Sequence, residues 1–160
     1  MRTKSVILLM AMLILSPLAF AQGSVEDILA KGKKYYGKEK FDKAEECFLP
    51  LAEQGNATAQ YYLGECYMRY DWYNGDVEQG TYWLRKAAHQ GCADAQLALG
   101  RMLCYDVGTY WLQQAANAGN KEAQCLLGER YDEGVVFPVN STMAVYWWEK
   151  VQQTKMWNLK

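Results

Sequence analysis

Histidine is nearly missing from this chain. There is one, His89, along with only three prolines, in 160 residues. His89 has no serine or cysteine nucleophile arranged around it, and its place at the end of a predicted helix suits a cation on the helix dipole. The motifs His-Glu-x-x-His, Ser-x-x-Lys and the Gly-rich phosphate loop do not occur. The five cysteines lack Cys-x-x-Cys spacing, and with a single histidine they make a poor zinc set. No catalytic, cofactor-binding or metal-ligating residue is therefore predicted. An excess of one charge is lacking too. With 17 basic and 18 acidic residues the formal net charge is -1, which leaves no electrostatic footprint for nucleic acid or an anionic membrane.

Only one long apolar run is present, at the start. Arg2 and Lys4 precede Val6–Leu15, followed by Ser16-Pro17 and the small-residue site Ala19-Phe20-Ala21. This reads as a secretory signal peptide over 1–21, cleaved after Ala21, and the run is short of the roughly 20 apolar residues of a membrane span. The expectation is an exported, periplasmic or secreted chain with no membrane span after cleavage. All five cysteines lie beyond that site, so an oxidising compartment permits two bridges and leaves one thiol. Counting out from the predicted turn at Gly55 puts Cys47 and Cys66 at similar heights on antiparallel helices. They are the candidate bridge, with buried thiols as the alternative.

What the chain has is a repeat. Ala59-Gln60-Tyr61-Tyr62-Leu63-Gly64 recurs as Ala95-Gln96-Leu97-Ala98-Leu99-Gly100 and Ala123-Gln124-Cys125-Leu126-Leu127-Gly128. Each copy is followed by a Tyr-Trp pair, Tyr82-Trp83, Tyr110-Trp111 or Tyr146-Trp147. Such self-similarity means stacked supersecondary units. Apolar residues recur at helical spacing throughout, as in Phe41, Ala44, Phe48, Leu51 and Ala52. The predicted helices are Val25–Lys38, Phe41–Gln54, Asn56 to about Tyr67, Val77–Gln90, Ala93–Leu103, Val107–Ala118, Lys121–Tyr131 and Thr142 to about Gln153. Gly55, Gly91 and Gly119 close three of them. Nothing reads as a strand.

The succession Leu-Gly, loop, Trp, then Ala-Ala-x-x-Gly resembles that of Sel-1-like repeat proteins, relatives of the tetratricopeptide solenoids. Two copies carry it closely, Ala57–Gly91 and Ala93–Gly119. The third keeps Leu127-Gly128 and Trp147 but has Val151-Gln152 where Ala-Ala belongs. The resemblance implies an all-α fold, a right-handed solenoid of about four antiparallel helical hairpins over 22–155, with hairpins near 24–55, 56–91, 92–119 and 120–153 and a tail at 156–160. It also implies a non-catalytic module that binds another protein. Exported bacterial members suit two roles, an adaptor for envelope proteins or an immunity protein that occludes a secreted toxic effector such as a lipase. A third reading, an enzyme acting on cell wall or β-lactams, resembles cysteine-rich members. Those carry Cys where this chain has Ala88, Gln96, Ala116 and Gln124, so their stapling disulfides are not expected here.

Three candidate surfaces follow. Tyr82, Tyr110 and Tyr146 would stack into an aromatic row, either a binding stripe or a cover over the neighbouring hairpin, whereas Trp83, Trp111 and Trp147 are expected in the core. Glu65, Arg101 and Glu129 follow Leu-Gly in equivalent places and would form a charge ladder, lining a concave face or simply solvated. The third surface comes from a shortened loop. Gly64 to Gly100 is 36 residues but Gly100 to Gly128 is 28, and the loss falls between Gly100 and Tyr110. The chain is then expected to turn through Cys104–Gly108. The resulting notch, edged by Trp72, Tyr73, Tyr105 and Phe137, either receives part of a partner or reflects a tolerated deletion.

Overall fold

The protein is seen as a computed structural model that describes residues 24–69, 76–103, 105–134 and 138–157. The expected signal peptide therefore lies outside the described residues. Eight helices are found there and no strand: α1 Val25–Tyr36, α2 Phe41–Glu53, α3 Ala57–Arg69, α4 Val77–His89, α5 Ala93–Met102, α6 Tyr105–Asn117, α7 Lys121–Glu133 and α8 Ser141–Trp157. They pair into four hairpins, and each second helix packs on the first helix of the next hairpin. The fold is an all-α helical repeat solenoid. Most helix ends fall within two residues of expectation, and two differences change the reading. Helix α6 starts at Tyr105, so Gly108 lies within a helix instead of a turn, and α8 runs on to Trp157 through the expected start of the tail.

Local chemistry sets the ends. Ser24 and Asp27 form a capping box on α1: Ser24 Oγ accepts from the Asp27 amide at 3.2 Å, and Asp27 Oδ2 accepts from the Ser24 amide at 3.1 Å. Three corners between hairpins share one construction. Gly55, Gly91 and Gly119 adopt φ of 92°, 86° and 90°, where a side chain would be strained. The next residue then donates its amide back into the ending helix, Asn56 to Leu51, Cys92 to Ala87 and Asn120 to Ala115. That same residue precedes the following helix. Asn56 and Asn120 cap it, each accepting the amide three residues on at 2.9 Å. Cys92 has no side-chain cap bond.

Close helix approach explains the repeated glycine. A Cβ on Gly100 would stand 2.6 Å from Leu112 Cγ, and one on Gly64 2.8 Å from Leu84 Cγ. Gly32 faces Phe48 and Gly128 faces Trp148 in the same way, so each hairpin pairs one glycine with one large side chain. The first hairpin thus has the repeat geometry without the Leu-Gly motif. Gly108 and Gly80 add a second small residue at the crossing: a Cβ on Gly108 would meet the Gly100 carbonyl at 2.8 Å.

The tryptophans are core, as expected. Trp83, Trp111 and Trp147 are buried, and each joins the cluster shared by its own hairpin and the one before it. Trp83 packs with Phe48 and Leu63, Trp111 with Ala88 and Leu99, and Trp147 with Ala116 and Leu127. A tryptophan is therefore the cement between successive hairpins. Counting back from Gly55 as from Gly91, Cys47 occupies the tryptophan place in the first hairpin, which has no described hairpin before it.

The Cys47–Cys66 bridge is not formed, and both side chains are free buried thiols. The two side chains enter different surroundings. Cys66 is in the cluster between α2 and α3 with Ala44 and Phe48, whereas Cys47 lines a groove between α1 and α2 with Ile28 and Lys31. Burial, then Glu45 and Glu65, push the Cys66 thiol up to about 12.

Candidate functional site

Neighbouring first helices touch, α1 on α3 and α5 on α7, while no two second helices pack as closely among the described residues. The first helices therefore form the inner face of the stack. A groove of about 410 Å³ runs along it across α1, α3 and α5 to the start of α7. Its lining mixes apolar Met68, Leu97, Ala98 and Met102 with the charged Glu65, Arg69, Asp94, Arg101 and Glu122.

The α1 end of the groove is densely bonded. Tyr36 donates its hydroxyl to Glu65 Oε2 at 3.0 Å, Arg69 approaches the same carboxylate at 3.6 Å, and the Arg69 guanidinium lies 5.5 Å from the Tyr36 ring centre. Tyr62 stacks on Phe48 with ring centres 5.2 Å apart and takes the edges of Tyr36 and Tyr61 at 5.3 and 5.0 Å. Burial, then the Glu65 charge, raise the Tyr36 and Tyr61 hydroxyls well above the usual tyrosine range. Both stay protonated donors at any physiological pH.

The expected charge ladder is only partly present. Glu65 and Arg101 both reach the groove, but they pair elsewhere, Glu65 with Arg69 and Arg101 with Glu122 on α7. Glu129 is exposed on α7 outside the groove lining. Sequence spacing aligned equivalent positions but could not foresee that Glu122, in the first turn of α7, is the residue that pairs with Arg101. The residue after Glu129 matters more structurally: Arg130 donates to Thr109 Oγ1 at 2.5 Å and to the Gly100 carbonyl at 2.9 Å, tying α7 to both helices of the shortened hairpin.

The tyrosine row lies elsewhere, on the second helices α4, α6 and α8. Tyr82, Tyr110 and Tyr146 are exposed by 48%, 54% and 44%. Each sits edge-on to its own tryptophan, at 5.0, 5.2 and 5.1 Å. Lys86 lies over Tyr82 and Trp83, and Lys150 over Tyr146 and Trp147. The middle repeat has Gln114 in the lysine place. His89 is exposed at the end of α4 and meets the Trp111 ring edge-on at 5.1 Å. Of the notch residues, Trp72, Tyr73 and Phe137 lie outside the described residues, as does the side chain of Tyr105.

Sequence reasoning missed the job of the repeated glutamine. Gln60, Gln96 and Gln124 are buried, and each donates to the carbonyl of an alanine on the preceding hairpin: Ala52 at 2.9 Å, Ala88 at 3.1 Å and Ala116 at 3.0 Å. It also missed Tyr36, Tyr61 and Asp94 as groove residues. The only signal was the doubled Tyr61-Tyr62, where the other copies have Leu97-Ala98 and Cys125-Leu126.

The Sel1 repeat family model matches four times, at residues 27–56, 57–92, 93–120 and 121–150. Among solved structures, the chain is similar to a Sel1 repeat protein from Oxalobacter formigenes, with 26% identity and a TM-score of 0.62 over 68% of this chain and 89% of that one. It is also similar to a protective antigen of uropathogenic Escherichia coli that displays an SLR fold, with 29% identity and a TM-score of 0.71 over 82% of this chain. The match spans 31% of that longer protein. No curated protein sequence matches this chain.

Proposed function

This chain belongs to the Sel1 repeat family, whose repeats are generally protein–protein interaction modules, and from that premise we propose that it is a non-catalytic adaptor or inhibitor holding a segment of another protein in its inner-face groove. The observation that carries this reading is the groove itself, lined by Met68, Leu97 and Met102 together with Glu65, Arg69, Asp94, Arg101 and Glu122, on helices fixed by the repeat. Exposed apolar side chains set among charged ones are the make-up of a protein interface. The leader-like stretch Arg2–Ala21 supports an exported chain, so the partner would be a component of the bacterial envelope. Exposed Tyr82, Tyr110 and Tyr146 favour a second reading, an immunity protein that covers a secreted effector with its outer face.

The test is affinity capture from an envelope extract with the chain lacking residues 1–21. Met102, 37% exposed, is replaced by Met102→Glu to block the groove, and Tyr110→Glu alters the outer face. Loss of one stoichiometric partner with Met102→Glu alone supports the groove. Loss with Tyr110→Glu alone supports the outer face, and a partner indifferent to both removes the two surfaces from the account.

A further inference from the structure

From the groove we infer that it takes a basic side chain, a lysine or arginine of the bound protein segment, between the Tyr61 ring and the Asp94 carboxylate; this rests on the groove reading above. Charge balance in the lining comes first. Arg69 pairs with Glu65 and Arg101 with Glu122, which uses both groove arginines. Asp94 keeps only a long contact from Asn120 Nδ2 at 3.4 Å and has no cation among the described residues. The lining therefore carries one carboxylate more than its cations neutralise.

The aromatic inventory points to the same place. Most half-buried or exposed rings near a basic residue already hold one: Lys31 and Lys43 at Tyr35, Lys33 at Tyr62, Arg69 at Tyr36, Lys86 at Tyr82 and Lys150 at Tyr146. Tyr61 has no such cation among the described residues. It packs on one side against the α4–α5 core and lines the groove on the other. Glu65 and Asp94 line the groove with it, and both charges act on its hydroxyl. A cation entering here gains the ring face and an unneutralised carboxylate together, while its carbon stem covers Leu97 and Ala98.

The probe is a nine-residue peptide alternating leucine and serine around a central arginine. Its controls carry citrulline, the neutral isostere, or glutamate at the centre. Binding to the folded chain lacking residues 1–21 is followed by the Tyr61 ring resonances in NMR. The arginine peptide is expected to shift them saturably and to bind about tenfold tighter than the citrulline peptide, with the glutamate peptide weaker still. Asp94→Asn, on an exposed side chain, removes that preference, and Tyr61→Leu removes it too. Tyr82→Leu, whose ring already holds Lys86, leaves it intact. Equal binding of the arginine and citrulline peptides overturns the inference and leaves a plain groove, as does a preference that survives Asp94→Asn. Either result leaves the broader groove reading standing, since that falls only with the Met102→Glu capture. A Tyr61→Leu chain that fails to fold leaves Asp94→Asn to decide.

Discussion

Gln96 donates its side-chain amide to the carbonyl of Ala88, 3.1 Å away and on the preceding hairpin. Gln60 and Gln124 repeat the bond to Ala52 and Ala116. A buried hydrogen bond thus ties each of these hairpins to the one before it. Replacing Gln96 by leucine leaves the Ala88 carbonyl without this donor inside the core. That carbonyl keeps the Gly91 amide at 3.0 Å, so a loss of about 0.5–1.5 kcal/mol is expected, read as a lower urea midpoint. An unchanged midpoint would mean that the bond contributes nothing net.

The same glutamine is only half satisfied. Gln60 Oε1 accepts from Gln90 at 2.6 Å, but Gln96 Oε1 has no partner among the described residues. Ala118 stands where Gln90 stands, one residue before the corner glycine. Ala118→Gln is expected to reach Gln96 and add about 0.5–1.5 kcal/mol. In a double-mutant cycle with Gln96→Leu, that gain disappears.

Cys92 has the backbone of a helix cap without the side chain. Its φ and ψ of -66° and 105° nearly match the -66° and 112° of Asn120, which does cap. Cys92→Asn should therefore stabilise the protein by about 1 kcal/mol, seen as a rise of a few degrees in melting temperature. A fall would show that the thiol packs better than the amide caps.

Gly100 is the tightest test of the crossing between α5 and α6. Gly100→Ala drives a methyl into Leu112 Cγ, with the Gly108 carbonyl 3.2 Å away on the same side. The expected cost is about 1–3 kcal/mol. Leu112→Ala in the same chain should recover part of it, because the two substitutions share one space.

Cysteine reactivity separates the thiols. Cys66 is buried with its thiol pushed up to about 12, so at pH 8 it is protonated and inaccessible. Half-buried Cys92 and Cys125 are expected to react with iodoacetamide in the native protein, and Cys66 only after unfolding. Mass spectrometry of peptides after timed alkylation reads this directly. Rapid native labelling of Cys66 would place α3 differently.

The fold was legible because its signals are local and periodic. Leu-Gly, Tyr-Trp and Ala-Ala-x-x-Gly each mark a contact that recurs, and the observed helices start and stop within a few residues of expectation. The first hairpin was harder to align, since Lys31-Gly32 and Cys47-Phe48 keep only the sizes the crossing needs. The groove was less legible still. It is built by residues from α1, α3, α5 and α7, and its charges pair by distances that spacing along one helix does not encode. Arg101 and Glu65 were found through their repeat position, whereas Glu122 and Asp94 lie in first turns and read as ordinary helix-dipole acids. The cysteine pair failed for a related reason: height along a helix was counted, but direction around it was not.

The most direct test of the central claim compares the two faces in one capture from envelope extract, using the unaltered chain, Met102→Glu and Tyr110→Glu at matched folded concentrations. The groove account predicts one partner retained by the unaltered chain and by Tyr110→Glu, and lost at least tenfold by Met102→Glu. A partner that stays with Met102→Glu, or an unaltered chain that recovers none, would contradict it.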